Sequence, residues 1–316
     1  MSITPPSNSP SLAAGARPLV VLAGATGDLG HRIALALLGR GAEVRALVRP
    51  GNTKPEVGTL RERGAAIVEV DFNDAAALTR ACAGAACVVS ALSGLREVIV
   101  DAQTQLLEAA VAAGVPRFIP SDFAIDYTKL PEGSNRNLDL RREFNRRLDQ
   151  APIRATSVLN GMFMDLLTGQ APVVLFKIRR ILYWGSADQP LDFTTIADTA
   201  AFTAAAALDA TTPRYLRVAG EVATVRDLQA AATAATGQRF RRLRAGGLWL
   251  LKLMIRITRR LAPAPKEVFP PWQGMQYLHN MFTGQPKLAP LDNDRYPDLR
   301  WTSVQELLAT RGPQAR

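Results

Sequence analysis

Residues 19–30 read Leu19-Val20-Val21-Leu22-Ala23-Gly24-Ala25-Thr26-Gly27-Asp28-Leu29-Gly30. An unbroken apolar run ends in a turn with glycines at 24, 27 and 30. A helical pattern follows, apolar at Ile33, Leu35, Leu37 and Leu38, and Gly41 is placed to close that helix. A strand with no polar face belongs in a sheet covered on both sides. Glycines at this spacing allow a tight turn and the close approach of a pyrophosphate, which the free N–H groups of the helix start then hold. Between a strand and a helix the pattern reads as a dinucleotide cradle made by Gly24, Thr26, Gly27, Asp28, Leu29 and Gly30.

The same alternation continues outward. Val44–Val48, Ile67–Val70, Cys87–Ser90 and Phe118-Ile119-Pro120 are apolar runs of strand length, and Glu97–Ala113 is a long amphipathic stretch stopped by Gly114. Strands separated by helices predict an α/β fold with a Rossmann-type, doubly wound parallel sheet. Beyond Asn160 the alternation weakens. Leu216–Ala219 reads as a strand, and Thr224-Val225-Arg226-Asp227 as the capped start of a helix that closes at Gly237. Prolines at 263/265, 270/271 and 286/290 suggest loops and short helices there in place of a second regular sheet.

Composition narrows the class. The 316 residues are 47 % hydrophobic and 21 % charged, an ordinary globular balance that excludes a disordered chain or a coiled coil. Apolar runs break well short of the roughly 20 residues a membrane span needs. Two cysteines (Cys82, Cys87) and two histidines (His31, His279) match no metal or disulfide spacing, so no metal is expected and cytoplasm is the default location. A net charge of +10 favours anionic partners. Nucleic acid is disfavoured, because no reading motif is present and aromatics are 6 % without interleaved stacking residues.

The end of the second strand chooses between the nicotinamide dinucleotides. An acidic residue there would bind the ribose 2′-hydroxyl of NAD. Here the chain reads Val48-Arg49-Pro50-Gly51-Asn52-Thr53-Lys54, with no carboxylate from 44 to 54. Arg49 can fork onto a 2′-phosphate, with Lys54 and Arg32 adding charge, so NADP(H) is expected. Asp71-Phe72, after the third strand, is placed to hydrogen-bond and flank the adenine. Ser90-Ala91-Leu92, after the fourth, is placed along the path to the nicotinamide. The expected organisation is a flexible tail (1–17), an NADP-binding Rossmann domain (18–150) and a mixed remainder (151–316), which supplies the last sheet strands and a smaller, less regular substrate part.

These residues resemble the atypical branch of the short-chain dehydrogenase/reductase superfamily that contains NmrA-like and isoflavone-reductase-like proteins. Gly24–Gly30 is similar to that branch's GxTGxxG turn. Ala46-Leu47-Val48-Arg49-Pro50 is similar to its second-strand ending, and Arg117-Phe118-Ile119-Pro120-Ser121-Asp122-Phe123 to its RFxPSEFG segment, with Asp122 in place of Glu. Thr195-Ile196-Ala197-Asp198 and Leu216–Gly220 match loosely. The resemblance runs from residue 18 to about 240. It implies that Pro120, Ser121 and Phe123 border the cofactor, and that Asn160, Met162 and Phe163 line a substrate pocket at the strand ends.

The departures concern the proton. The superfamily's Tyr-x-x-x-Lys pair is absent, since Tyr127 is followed by Pro131 four positions on. The branch's catalytic lysine position falls on Arg141, and a guanidinium stays charged and cannot act as general acid or base. The candidates left are Tyr127, if Lys129 or Arg141 lowers its pKa, Asp122, if burial raises its own, and water, with Ser121 and Arg141 orienting the substrate. The expected function is an NADPH-dependent reductase that moves a hydride to a small, largely apolar carbonyl or activated alkene. The alternative is a non-catalytic NADP(H)-sensing regulatory or assembly protein that binds a protein partner.

One stretch stands apart. Gly246–Leu261 carries Lys252, Arg256, Arg259 and Arg260 along one helical face, preceded by Arg241, Arg242 and Arg244. The commoner arrangement for such a helix is a roof over the substrate pocket with a solvated outer face. The other is contact with a membrane surface or an acidic partner.

Overall fold

The computed structural model describes residues 17–310; the expected tail, but for Arg17, lies outside them. Its main sheet has six parallel strands, β1 (Leu19–Ala23), β2 (Glu43–Val48), β3 (Ala66–Glu69), β4 (Cys87–Ser90), β5 (Arg117–Ile119) and β6 (Arg154–Ala155), in the order β3-β2-β1-β4-β5-β6. This is the doubly wound order, which reverses direction between β1 and β4 and leaves a crevice at their carboxyl ends. β7 (Ser157–Leu159) follows β6 after one residue and is discussed below with its partner strand.

Side-chain alternation in β1 explains its unbroken apolar run. Val20 and Leu22 enter a core with α1 (Asp28–Gly39), whereas Val21 and Ala23 enter a core on the opposite face. After β2 comes α2 (Pro55–Glu62). The second face is covered by α3 (Ala75–Cys82), α4 (Gln103–Ala112) and α5 (Arg136–Leu148), through Leu78, Leu106, Phe144 and Leu148. The stretch read as one helix from Glu97 begins with a π-helical segment, Glu97–Ala102, before α4.

Beyond β7 the chain is more regular than its prolines suggest. β8 (Met162–Phe163), β9 (Val174–Leu175), β10 (Arg180–Trp184) and β11 (Leu191–Thr194) precede α6 (Ile196–Leu208). Then come β12 (Tyr215–Arg217), β13 (Glu221–Ala223), α7 (Val225–Thr236), β14 (Arg241–Gly246), α8 (Leu248–Leu261), α9 (Pro271–Phe282) and α10 (Val304–Thr310). β12 pairs in parallel with β7, while β14-β10-β9 and β13-β11-β8 form two three-stranded sheets. Both sheets lie before Pro263; around the proline clusters the described residues form loops and helices and no strand, as expected there. The strands of the two sheets are two to six residues long, too short to carry a periodicity of their own, and apart from the β9–β10 hairpin they pair across long separations. Pro270-Pro271 opens a twelve-residue helix instead of breaking one, because Pro271 at the first helical position lacks only an N–H that would have no partner anyway. The reading of α7 holds: Thr224 and Asp227 form a reciprocal capping box, and Gly237 closes the helix at φ +68°.

α6 returns to the main sheet and packs on α1, with Ala200, Phe202 and Ala204 in the core that holds Val20 and Leu22. Phe202 also meets Tyr296 and Trp301 at ring-centre distances of 5.0 and 5.9 Å, fastening the C-terminal stretch. Arg117, the first residue of the RFxPSEFG-like segment, holds α6 to β5. Its buried guanidinium donates to the Ala206 and Ala207 carbonyls (2.8 and 2.9 Å) and to Thr212 Oγ1 (2.7 Å). Arg117→Met keeps the apolar stem and strands those helix-end acceptors. The expected cost is about 2–3 kcal/mol, measured by chemical denaturation.

Candidate active site

Backbone contacts shut the turn after β1. Gly24 sits at φ +83°, and a Cβ there would lie 2.5 Å from the Ala91 carbonyl oxygen, just past β4. A Cβ on Gly30 would lie 2.1 Å from the Gly24 carbonyl oxygen. Gly27 is different: its nearest contact would be 3.4 Å away, and it is the extended N-cap of α1, with no side-chain cap. The first turn of α1 therefore keeps both room and backbone donors for an anion. Leu29 packs into the core below, and Asp28 is turned toward Arg32 at 2.6 Å. Arg32 is accordingly engaged within its own helix and is not the free extra charge expected of it.

The loop after β2 folds onto this turn. Asn52 Nδ2 and Lys54 Nζ each reach Thr26, on Oγ1 and the carbonyl oxygen, at 3.5 Å. Arg49 is exposed; its carbonyl accepts from the Asn52 N–H (3.1 Å), and its guanidinium has no hydrogen-bond or ion-pair partner among the described residues. The topology adds a carboxylate that the local sequence hides. Glu69 ends β3 opposite Val48, and its Oε2 accepts a 3.1 Å hydrogen bond from the Gly51 N–H. Pairing the predicted strand ends would have found Glu69; scanning 44–54 could not. At the next strand end Asp71 is exposed, and its Oδ1 accepts from both the backbone and side-chain nitrogens of Asn73, while Phe72 lies half-buried against the core.

Ser90 is fully buried at the end of β4, and its hydroxyl has no partner. Ala91 and Leu92 follow, and the Leu92 carbonyl accepts a 2.6 Å hydrogen bond from Ser121 Oγ, tying the ends of β4 and β5. The Ser121 N–H donates to Gln103 Oε1 (2.9 Å), a fully buried glutamine with no sequence signal of its own. Pro120 is buried beside it, and Phe123 enters the β1 core. At the end of β7, Asn160 is fully buried. Its Nδ2 donates to Thr199 Oγ1 (3.3 Å), and its Oδ1 has no partner. Met162 and Phe163 lie half-buried on β8 beside it.

Asp122, Tyr127 and Arg141, the candidate catalytic residues, do not converge. Asp122 and Tyr127 meet, with the phenol donating to Asp122 Oδ2 at 2.9 Å, but both are shut inside the protein. The same oxygen accepts from Asn145 Nδ2 (2.8 Å) and Ser157 Oγ (2.6 Å). Arg214 completes the cluster with bonds to Ser157 Oγ, Asn145 Oδ1 and Asp149. Burial and the neighbouring Asp122 carboxylate push the Tyr127 phenol well above its ordinary pKa, the opposite of what a proton donor needs. Lys129 does not offset this, because its ammonium goes to the Lys287 carbonyl and to Asp126. Arg141 stands apart on α5. One terminal nitrogen bonds the Asn137 carbonyl (3.1 Å), and its buried Nε has no partner. Burial raises the nearby Tyr277 phenol, and the charge of Arg141 partly opposes that rise. Asn145, Ser157 and Arg214, which the sequence does not single out, make Asp122 the hub joining β5, α5, β7 and β12.

Among the described residues no cluster of His, Cys, Asp and Glu is arranged to hold a metal ion. Burial pushes both free thiols, Cys82 and Cys87, up to about 11, which leaves them inert. No helix among these residues is long and apolar enough to cross a membrane. Tyr127→Phe removes one of three donors to Asp122. It is expected to cost about 1 kcal/mol in chemical denaturation while leaving dinucleotide affinity by calorimetry unchanged; a selective loss of affinity would instead put the phenol in the binding site.

Comparison with known proteins agrees with this fold. Residues 17–282 match the model of the NmrA-like family. Pinoresinol reductase 1 of Arabidopsis thaliana is 32 % identical over 205 residues, 58 % of this chain and 63 % of that protein. The isoflavone reductase homolog IRL of Zea mays is 26 % identical over 311 residues, 92 % of this chain and 96 % of that protein. The matched stretch thus spans under two thirds of the first of these relatives and nearly all of the second. A solved structure described as AtPrR2 with NADP+ and (+)pinoresinol superposes with a TM-score of 0.77 at 25 % identity, covering 94 % of this chain and 99 % of that one. With the glycine turn, the strand order and the RFxPSEFG-like segment on one sheet edge, the chain belongs to the NmrA-like family.

Proposed function

We propose that this protein is an NADPH-dependent reductase acting on a small, largely apolar substrate. The observation that carries the reading is the pairing of a backbone-closed glycine cradle with an Arg49 guanidinium, unpartnered among the described residues, in a loop anchored to that cradle through Thr26. An NADP-bound structural relative and relatives named as pinoresinol and isoflavone reductases support it.

The residues present suit that coenzyme. The start of α1 receives the pyrophosphate, which can approach closely because Gly27 has no side chain. Arg49 and Lys54 receive the 2′-phosphate, with Glu69 fixing the loop through Gly51. Asp71 keeps Oδ2 free toward the adenosine end, and Phe72 flanks it. Ser90 Oγ and Asn160 Oδ1, both buried without partners, supply hydrogen-bonding atoms toward the nicotinamide end, where Ala91, Leu92, Pro120, Ser121 and Phe123 form the wall. NADPH, when bound, supplies the hydride.

The substrate lies beside Asn160, Met162 and Phe163, an apolar surface with one amide, as suits an aromatic or alicyclic ketone, enone or related ring system. Arg141 faces the work that remains. A guanidinium with an unsatisfied Nε can bind a carbonyl or phenolate oxygen and stabilise negative charge there, but it does not deliver a proton. Water is therefore the proton source, and the buried Asp122–Tyr127 pair is structural. A cytoplasmic setting suits two free cysteines.

Steady-state oxidation of NADPH across quinones, enones, aldehydes and a furofuran lignan is the direct test. Turnover is expected with at least one class, and absence of turnover with all of them overturns the reductase reading. Arg49→Glu is expected to weaken NADPH by about 2 kcal/mol or more and NADH far less, measured by calorimetry; equal losses would refute the 2′-phosphate role. Arg141→Lys restores a titratable ammonium at the branch's lysine position, and kcat is expected to rise and to acquire a dependence on an alkaline pKa.

A further inference from the structure

The site described above leaves one large feature unused. Residues 239–266 contain nine cations (Arg239, Arg241, Arg242, Arg244, Lys252, Arg256, Arg259, Arg260, Lys266) and no carboxylate. Nine of the ten excess positive charges of the whole chain therefore sit in this one segment. Its first part is β14, an exposed edge strand hydrogen-bonded only to β10, and its second part is α8.

The outer side of α8 carries its exposed cations as expected, but large apolar side chains are exposed beside them. Leu251 and Ile255 are buried against the protein, and the open opposite side of the helix carries a row of large apolar side chains bordered by cations. Trp249 is 71 % exposed, Leu253 42 %, Ile257 49 % and Leu261 79 %. Successive members are four residues apart, so they form one ladder roughly 18 Å long on a helix rising 1.5 Å per residue. Phe269, 63 % exposed, follows in the connection to α9. Lys252, Arg256 and Arg260, also four apart, run along one border of the ladder and have no ion-pair partner among the described residues, whereas Arg259 is stacked on Trp272 at 5.2 Å. A row of large apolar groups facing outward costs free energy in water and is uncommon without an occupant.

We infer that α8 docks on the surface of an anionic lipid bilayer, lying in the interface with Trp249, Leu253, Ile257 and Leu261 buried among the acyl chains and Lys252, Arg256 and Arg260 at the phosphates. Charge complementarity decides the occupant. A second copy of this chain would bring nine cations against nine, which opposes self-association through this face. A lipid surface offers an apolar layer edged by a continuous sheet of phosphates, matching a ladder edged by long cationic side chains that reach outward from an apolar helix. β14 adds Arg242 and Arg244 immediately before the helix, within the range over which a charged leaflet attracts.

The test is flotation of the full chain with phosphatidylcholine–phosphatidylglycerol vesicles and with pure phosphatidylcholine vesicles, together with the size of the protein in solution. Expected are binding to the anionic vesicles only, a blue shift of tryptophan emission, and a loss of about tenfold or more in binding for Lys252→Glu/Arg256→Glu and, separately, for Leu253→Asn/Ile257→Asn. These side chains are exposed, so the unfolding midpoint should stay unchanged; Trp249→Ser serves as an independent variant. Failure to float, equal binding to neutral vesicles, or unaltered binding of Leu253→Asn/Ile257→Asn would overturn the inference. A dimer that Leu253→Asn/Ile257→Asn converts to a monomer would also overturn it.

Discussion

The close approach of the β1–α1 turn to the end of β4 is the constraint on which the site depends. The Gly24 backbone lies where a side chain would strike the Ala91 carbonyl, and Gly30 lies where one would strike Gly24. Neither position tolerates a methyl group without moving backbone, and Gly24 also needs a positive φ. Because β1 and β4 are neighbours at the reversal of strand order, this contact sets the width of the crevice and the angle at which α1 leaves the sheet. With the helix start left uncapped, the local charge is positive before any side chain is counted.

Much of this was legible because the sequence carries it twice, as pattern and as punctuation. β1, β2, β4 and the ends of α1 and α7 could be read from apolar runs and from glycines in positive φ, and all lie within a residue or so of where they were expected. The fold beyond Asn160 was hidden for a physical reason. A strand such as β8 contributes two residues and exists only because a distant partner, β11, is present, so neither propensity nor period marks it. Pro271, read as part of a region of loops and short helices, opens α9, because a proline at the first helical position lacks only an N–H that would have no partner.

The candidate site was legible to the extent that it is made of backbone and of loop cations. It was not legible where burial decides what a side chain does. Tyr127 and Asp122 lie five apart in a promising segment, yet the fold closes them in with Asn145, Ser157 and Arg214 and turns a pair of titratable groups into a structural hub. No local pattern distinguishes these outcomes. Glu69 shows the complementary case, a residue remote from the second strand in sequence but adjacent to it in the sheet, where it holds Gly51 in place.

Loss of both familiar proton donors need not abolish reduction, because hydride transfer and protonation make different demands on the protein. Hydride transfer requires the acceptor carbon to be held against the coenzyme and the developing charge on oxygen to be stabilised. A guanidinium does the second well, since it remains charged at every working pH and offers a fixed fork of donors. Protonation can follow from water once the charge has been stabilised, at the cost of a rate that falls as hydroxide replaces hydronium. On the proposed reading, a site built around Arg141 would favour acceptors whose reduced form is a stabilised anion, such as a quinone or an extended enone, over simple ketones whose alkoxide must be protonated as it forms.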